Sequence, residues 1–156
     1  MPPKVVTLKR LLYRQAHSAD QATLKHMQLQ RFVWFALVPN YAESYGDIHR
    51  QYRPTRPLRL LDISTMAMRR VIAHELGVSL ERIDPDEQYS GGGGNHLVHL
   101  ILEPLLQAYD LDGTIIEDDR ADKECEGPTE VVLRGSCVRY VNRVFNAPNT
   151  TRQTGN

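Results

Sequence analysis

The side chains whose types and spacing could do chemistry lie mostly between residues 91 and 137. His96, His99 and Glu103 stand at i, i+3 and i+7, which on a helix places two imidazoles and a carboxylate on one face, as a divalent metal requires. No fourth ligand is set by the spacing, and three polar residues on one side of a helix otherwise form its wet side. That second reading is adopted, and no metal site is expected. Four consecutive glycines, Gly91 to Gly94, precede this segment, and backbone amides ahead of a helix bind phosphate. A nucleotide loop ends in Gly-Lys-Ser/Thr, however, whereas Gly94 leads into Asn95 and His96, so the run reads as a flexible loop. Asp110 to Ile115 has the centre of a calcium loop, but its first and last ligand positions would fall on Ala108 and Asp119, where Asp and a bidentate Glu are needed. Cys125 and Cys137 have neither a paired base nor metal spacing, and two cysteines build no disulfide scaffold. No catalytic residue and no cofactor are expected.

A different chemistry stands in the first 60 residues. Tyr41, Tyr45 and Tyr52 interleave with Arg50, Arg53 and Arg56, with Pro54 and Pro57 among them. Each X-Pro pair favours extended backbone, and no core periodicity runs through the stretch. Tyr and Arg dominate protein interfaces, and RNA would suit the same pair. Phe32, Trp34 and Phe35, inside the apolar run Phe32 to Val38, also need covering. The expected partner-binding residues are therefore Phe32, Trp34, Phe35, Tyr41, Tyr45, Tyr52 and Arg53, together with the tripeptide Leu12, Tyr13 and Arg14 taken up below.

Composition bounds these readings. The chain has 156 residues, of which 41% are hydrophobic and 24% charged, with 19 basic and 19 acidic side chains. A zero net charge argues against a protein that coats nucleic acid over its whole surface. The charge is nevertheless unevenly placed: residues 1–60 hold ten basic and three acidic side chains, and the acid gathers between Glu81 and Glu130. The run Phe32 to Val38 is far short of the ~20 apolar residues of a membrane-spanning helix. The first 19 residues contain no acid, and Leu8, Leu11 and Leu12 fall at helical spacing among Lys4, Lys9, Arg10 and Arg14. That is the composition of a mitochondrial targeting segment, or of an ordinary basic surface helix.

The elements that would position these residues all read as helices. Asp20 caps a helix running to about Val38, where Pro39 stops it. Ser64 or Thr65 caps a second helix with Met68, Val71, Ile72 and Leu76 on its apolar face, and Gly77 ends it. A third begins near Asn95 and contains Pro104. A last one opens at Gly127-Pro128 and carries the stripe Leu133, Val138, Val141, Val144 and Phe145. The spacing thus predicts an all-α fold: a basic N-terminal extension over 1–60, a small helical bundle over 61–146, and a polar tail over 147–156.

Within that frame, Arg69-Arg-Val-Ile-Ala-His-Glu-Leu-Gly-Val78, then Glu81-Arg-Ile-Asp-Pro-Asp86 and Tyr89, resembles the first helix and long loop of an acyl carrier protein. Counted without a gap, the family's Asp-Ser-Leu motif falls on Asn95, His96 and Leu97. The resemblance covers about residues 61 to 145 and implies a small helical carrier bundle. The serine that bears 4′-phosphopantetheine in that family is here His96, which the transferase does not modify; Ser90 is the nearest displaced substitute. Leu12-Tyr13-Arg14 repeats the tripeptide of the mitochondrial LYR proteins, which bind acyl carrier proteins. Together these imply a non-catalytic, acyl-carrier-like accessory subunit of a large mitochondrial assembly, foremost respiratory complex I. Its expected partners are other protein subunits, including one of LYR type. The alternatives are a working carrier in mitochondrial fatty acid or lipoate synthesis, and a subunit associated with the mitochondrial ribosome.

Overall fold

The apolar run in the front of the chain extends rather than coils. Phe32–Ala36 forms a strand whose successive side chains leave on opposite faces, and four of its five residues are buried. The structure is a computed structural model that describes residues 3–38, 48–83, 94–116 and 130–145. Among these, eight strands are present: β1 (Val5–Leu8), β2 (Leu12–Ala16), β3 (Phe32–Ala36), β4 (Ile48–Pro54), β5 (Leu58–Asp62), β6 (Gly113–Ile116), β7 (Glu130–Arg134) and β8 (Val141–Val144). Three α-helices accompany them, α1 (Leu24–Gln28), α2 (Met66–Leu76) and α3 (Gly94–Ala108), with short 3₁₀ turns at Asp20–Ala22, Leu80–Ile83 and Gly135–Tyr140.

The strands make one mixed sheet in the order β1-β5-β6-β7-β3-β2-β4-β8, curled into a half-barrel. Only the β5–β6 pair is parallel, and α2 and α3 occupy the long connection that a parallel pair requires. The expected all-α bundle is therefore overturned. The physical reason is that a strand covered on both faces reads as apolar all round, as a buried helix does, and periodicity alone does not separate them. The Val, Phe and Trp content of 32–36 and of Glu130–Arg134 favours the pleated form. The helix expected over 20–38 is a 3₁₀ turn, the five-residue α1 and β3. The one expected from Gly127 is β7, a 3₁₀ turn and β8, with 117–129 outside the described residues. The basic segment expected as a helix holds β1 and β2, and Leu8, Leu11 and Leu12 share helical spacing only by coincidence. Two helices do form where their signals stand. The Thr65 hydroxyl accepts from the Met68 amide at 3.2 Å, and Gly77, at φ 67°, closes α2 in the left-handed conformation. α3 runs from Gly94 and continues through Pro104.

The sheet separates two cores. On one face Leu12, Val33, Phe35, Tyr52, Leu60, Val131 and Leu133 pack with Met27 of α1 and with Val138. On the other, Phe32, Leu61, Ile116 and Val132 meet Ile72 of α2 and Val98, Leu102 and Leu106 of α3, with Trp34 partly covered at the margin. The boundary expected near residue 60 falls inside β5, and strands from either side of it alternate across the sheet. Among the described residues no helix is long and apolar enough to cross a membrane.

Gly135 and Gly113 mark the tightest approaches, a Cβ at Gly135 falling 1.6 Å from the Gln30 carbonyl oxygen. A Cβ at Gly113 would lie 1.9 Å from the Val132 carbonyl oxygen, which belongs to the backbone of the paired strand. Gly77 has open space around its missing Cβ and only its positive φ to satisfy. Gly113→Ala should lower stability by about 3 kcal/mol or more, since β6 must move off β7, whereas Gly77→Ala should cost about 1 kcal/mol. Denaturant midpoints of the two variants check this; equal losses would show that the β6–β7 contact yields easily.

Candidate functional site

Between β2 and β3 the sheet is held by a single registered pair, Tyr13↔Ala36, whereas β2–β4 and β3–β7 each carry five. The half-barrel thus consists of two parts, β1-β5-β6-β7-β3 and β2-β4-β8, that part company beside that pair. Two arginines clasp the parting. Arg10 Nη2 donates to the Leu37 carbonyl at 3.0 Å, and Arg14 Nη1 donates to the Trp34 carbonyl at 2.9 Å. The row of the Tyr13–Ala36 pair continues onto β7, because Ala36 pairs with Glu130, and Glu130 pairs in turn with Ile116, whereas Arg14, the next residue of β2, projects from the other face with Arg50. Glu130 is 7% exposed at the head of a strand that continues Val-Val-Leu and ends in Arg134. Strand spacing puts it about 8 Å from the carbonyl that Arg14 holds.

The Arg14 guanidinium is charged and largely desolvated. Burial holds its pKa below the ordinary arginine value, an effect only partly offset by the nearby Tyr52 phenol. Its Nε is buried without a hydrogen-bond partner, as is that of Arg50. In register Arg14 faces Arg50, and Tyr52, one step along β4, faces Arg143 of β8. All three cations act on the Tyr52 phenol, whose pKa is nevertheless raised because burial outweighs them. The phenol donates to the Ala22 carbonyl at 2.6 Å. No carboxylate among the described residues pairs with Arg14, Arg50 or Arg143. Like charges directly across a strand pair repel, and an uncompensated buried cation is costly. Such an arrangement is suited to a multiply charged anion that supplies the missing negative charge.

The helix face of His96, His99 and Glu103, expected as a wet side, is not a uniformly solvated one. His99 is fully buried, with Phe32 and Trp34 meeting its ring at 5.5 and 5.8 Å and its Nε2 at 2.5 Å from the Thr114 hydroxyl. It belongs to the core rather than to the wet side assigned to it. Glu103 accepts from Arg31 Nε at 2.9 and 3.1 Å, and this bond holds its carboxyl below the usual range. His96 lies in the first turn of α3; its side chain and Ser90 fall outside the described residues. Asp112 is bound by Arg56, at 2.8 and 3.2 Å, and by the Arg59 amide. Cys137 is a buried thiol whose pKa burial pushes up, so it is not poised as a nucleophile.

Of the expected partner-binding residues, Phe32, Phe35, Leu12 and Tyr52 are core, at most 2% exposed, and Trp34 and Tyr13 are half-buried. Arg53 is exposed, and Tyr41 and Tyr45 lie outside the described residues. The structure brings Arg14, Tyr52 and Arg50, all singled out in the sequence, onto one face of β2 and β4 and adds Arg143 from β8, while Glu130, which the sequence did not single out, lies on the other face with Tyr13. A lone acid opening Val-Val-Leu was the available signal for Glu130, once that run is read as a strand. Comparisons with protein-family models, with curated proteins and with solved structures gave no match.

Arg14→Met leaves the Trp34 carbonyl without its donor but removes the like charge facing Arg50, so the melting temperature should fall by no more than a few degrees. Pyrophosphate should raise the melting temperature of the parent chain by a few degrees and leave that of the variant unmoved. A loss of more than about 2 kcal/mol in the variant would make the guanidinium structural instead.

Proposed function

We propose that the parting between β2 and β3 binds a dinucleotide through its diphosphate and transfers its ribosyl group, with Arg14 as anion-holding residue and Glu130 as catalytic carboxylate. The observation that carries this reading is a half-buried guanidinium with no acid partner among the described residues, next along β2 to Tyr13, whose row crosses the parting to the buried Glu130 on the opposite face of the sheet. Arginines without acids call for phosphate. A carboxylate two strands away across the parting suits a sugar: it hydrogen-bonds a ribose hydroxyl and stabilises the oxocarbenium character of a breaking glycosidic bond. Among the described residues no second carboxylate shares that row, which suits a donor whose base departs unprotonated, as the pyridinium of a nicotinamide dinucleotide does.

The step then balances without further reagents. The C1′–N bond breaks, its electron pair neutralises the pyridinium nitrogen, and nicotinamide leaves. An acceptor oxygen or nitrogen bonds to C1′, and its proton passes to Glu130. The expectation of a non-catalytic accessory subunit drew on an acyl-carrier bundle; with the bundle replaced by a sheet, no feature of the site supports that assignment.

Incubation of the chain with the oxidised dinucleotide should release nicotinamide, measured by chromatography. Glu130→Gln should lower kcat by about 10² to 10³-fold with little change in KM, and Arg14→Gln should act chiefly on KM. No release of nicotinamide by the intact chain, in water or with an acceptor nucleophile added, would sink the proposal.

A further inference from the structure

The half-sheet that carries Arg14 ends in an edge strand, β8, and its exposed side chains repeat a pattern of guanidinium and aromatic ring. Arg143 is exposed, and its guanidinium lies 4.4 Å from the centroid of the Phe145 ring. Phe145 is itself 74% exposed, the largest such value among the described aromatic residues. The register Gln51↔Val144 brings Phe145, one step on, opposite Arg50, and Arg50 faces Arg14. Arg139 adds a second stack, 4.8 Å from the Tyr140 ring centroid, with its Nη2 bonded to the phenol at 2.8 Å. Arg53 projects from the opposite face of β4 and is exposed. None of Arg50, Arg53, Arg139 and Arg143 is paired with a carboxylate among the described residues, whereas Arg56 beside them is neutralised by Asp112.

We infer that the β4–β8 edge, through Arg50, Arg139, Arg143 and Phe145, binds single-stranded nucleic acid. Unpaired guanidiniums offer the sequence-independent phosphate contacts, and an exposed ring with a guanidinium on one face keeps the other for a base. An acidic peptide would be served by the cations alone and leaves Phe145 without a role. A duplex presents no unstacked base to it. A strand seated there lies beside the Arg14 anion site, in the position of an acceptor. That acceptor role rests on the ribosyl-transfer reading, whereas the binding does not.

Fluorescence anisotropy with the full chain and a labelled 20-nucleotide RNA or DNA strand tests this at 50 and 200 mM salt. Binding should weaken at least tenfold between the two salts. Arg143→Gln should flatten that salt dependence by about one phosphate contact. Phe145→Ala should weaken binding several-fold with the salt slope unchanged, and both variants are at exposed positions where circular dichroism verifies folding. Glu130→Gln should bind the strand as tightly as the parent, which separates this surface from the donor chemistry. The inference is overturned if neither strand binds, if polyglutamate of equal charge competes as well as unlabelled RNA, or if Phe145→Ala binds unchanged.

Discussion

The five-residue pairing of β3 with β7 is the contact on which the rest of the structure depends. Phe32, Trp34 and Ala36 lie opposite Arg134, Val132 and Glu130, while Val33 and Phe35 lie opposite Leu133 and Val131. The pair sends apolar side chains to both faces, so it is stable only if both faces are covered. Each large side chain buried there contributes about 2 kcal/mol. On one face the cover is α2 and α3, which the chain delivers by its long connection between β5 and β6. On the other it is the curl of the sheet itself, closed by α1 and the 3₁₀ turn after β7. A flat sheet would leave the second core wet. Curling follows from the two-sided burial and the ordinary twist of strands.

That curl has a consequence at the neighbouring strand. β3 is committed to β7 over its whole length, and β2 is committed to β4 over its whole length. The two commitments diverge, and the sheet parts after one shared pair. Where backbone bonds are lost, side chains must satisfy the freed carbonyls, and Arg10 and Arg14 do so at Leu37 and Trp34. An apolar side chain could not. A lysine could reach a carbonyl but would lack the planar fork that leaves further donors aimed elsewhere. The sheet's geometry therefore explains why a strongly basic residue is tolerated inside a strand, and its remaining donors are what give the site its chemistry.

How much of this was legible in the sequence depended on whether a signal was local. Thr65 and Gly77 announce the two ends of α2 through their own capping chemistry, and α3 runs through Pro104 with Val98, Leu102 and Leu106 buried along one face. Strand identity was not local. Phe32 to Val38 is apolar at every position because both its faces are buried, and that fact resides in residues 60 to 133. His99 looked polar and wet by type, yet its partners Phe32, Trp34 and Thr114 come from two strands that no helical pattern anticipates. Arg14 drew notice for the tripeptide it belongs to, and Arg50 for its tyrosine neighbours. Their opposition across β2 and β4 is visible only in the register.

The placement of charge completes the account. The basic excess of residues 1–60 is not spread over a surface: Arg10, Arg14, Arg50 and Arg53 all lie on or just before β2 and β4. Arg143, from the other end of the chain, joins them by pairing β8 to β4. The group at their centre, Tyr52, could in principle lose its proton and neutralise one of them. Its environment decides otherwise, since burial raises the phenol pKa further than the three guanidiniums lower it. The phenol keeps its proton for the Ala22 carbonyl, and arginines keep theirs throughout the range in which proteins fold. The arginines of the cluster therefore supply a positive field that does not change as the pH varies.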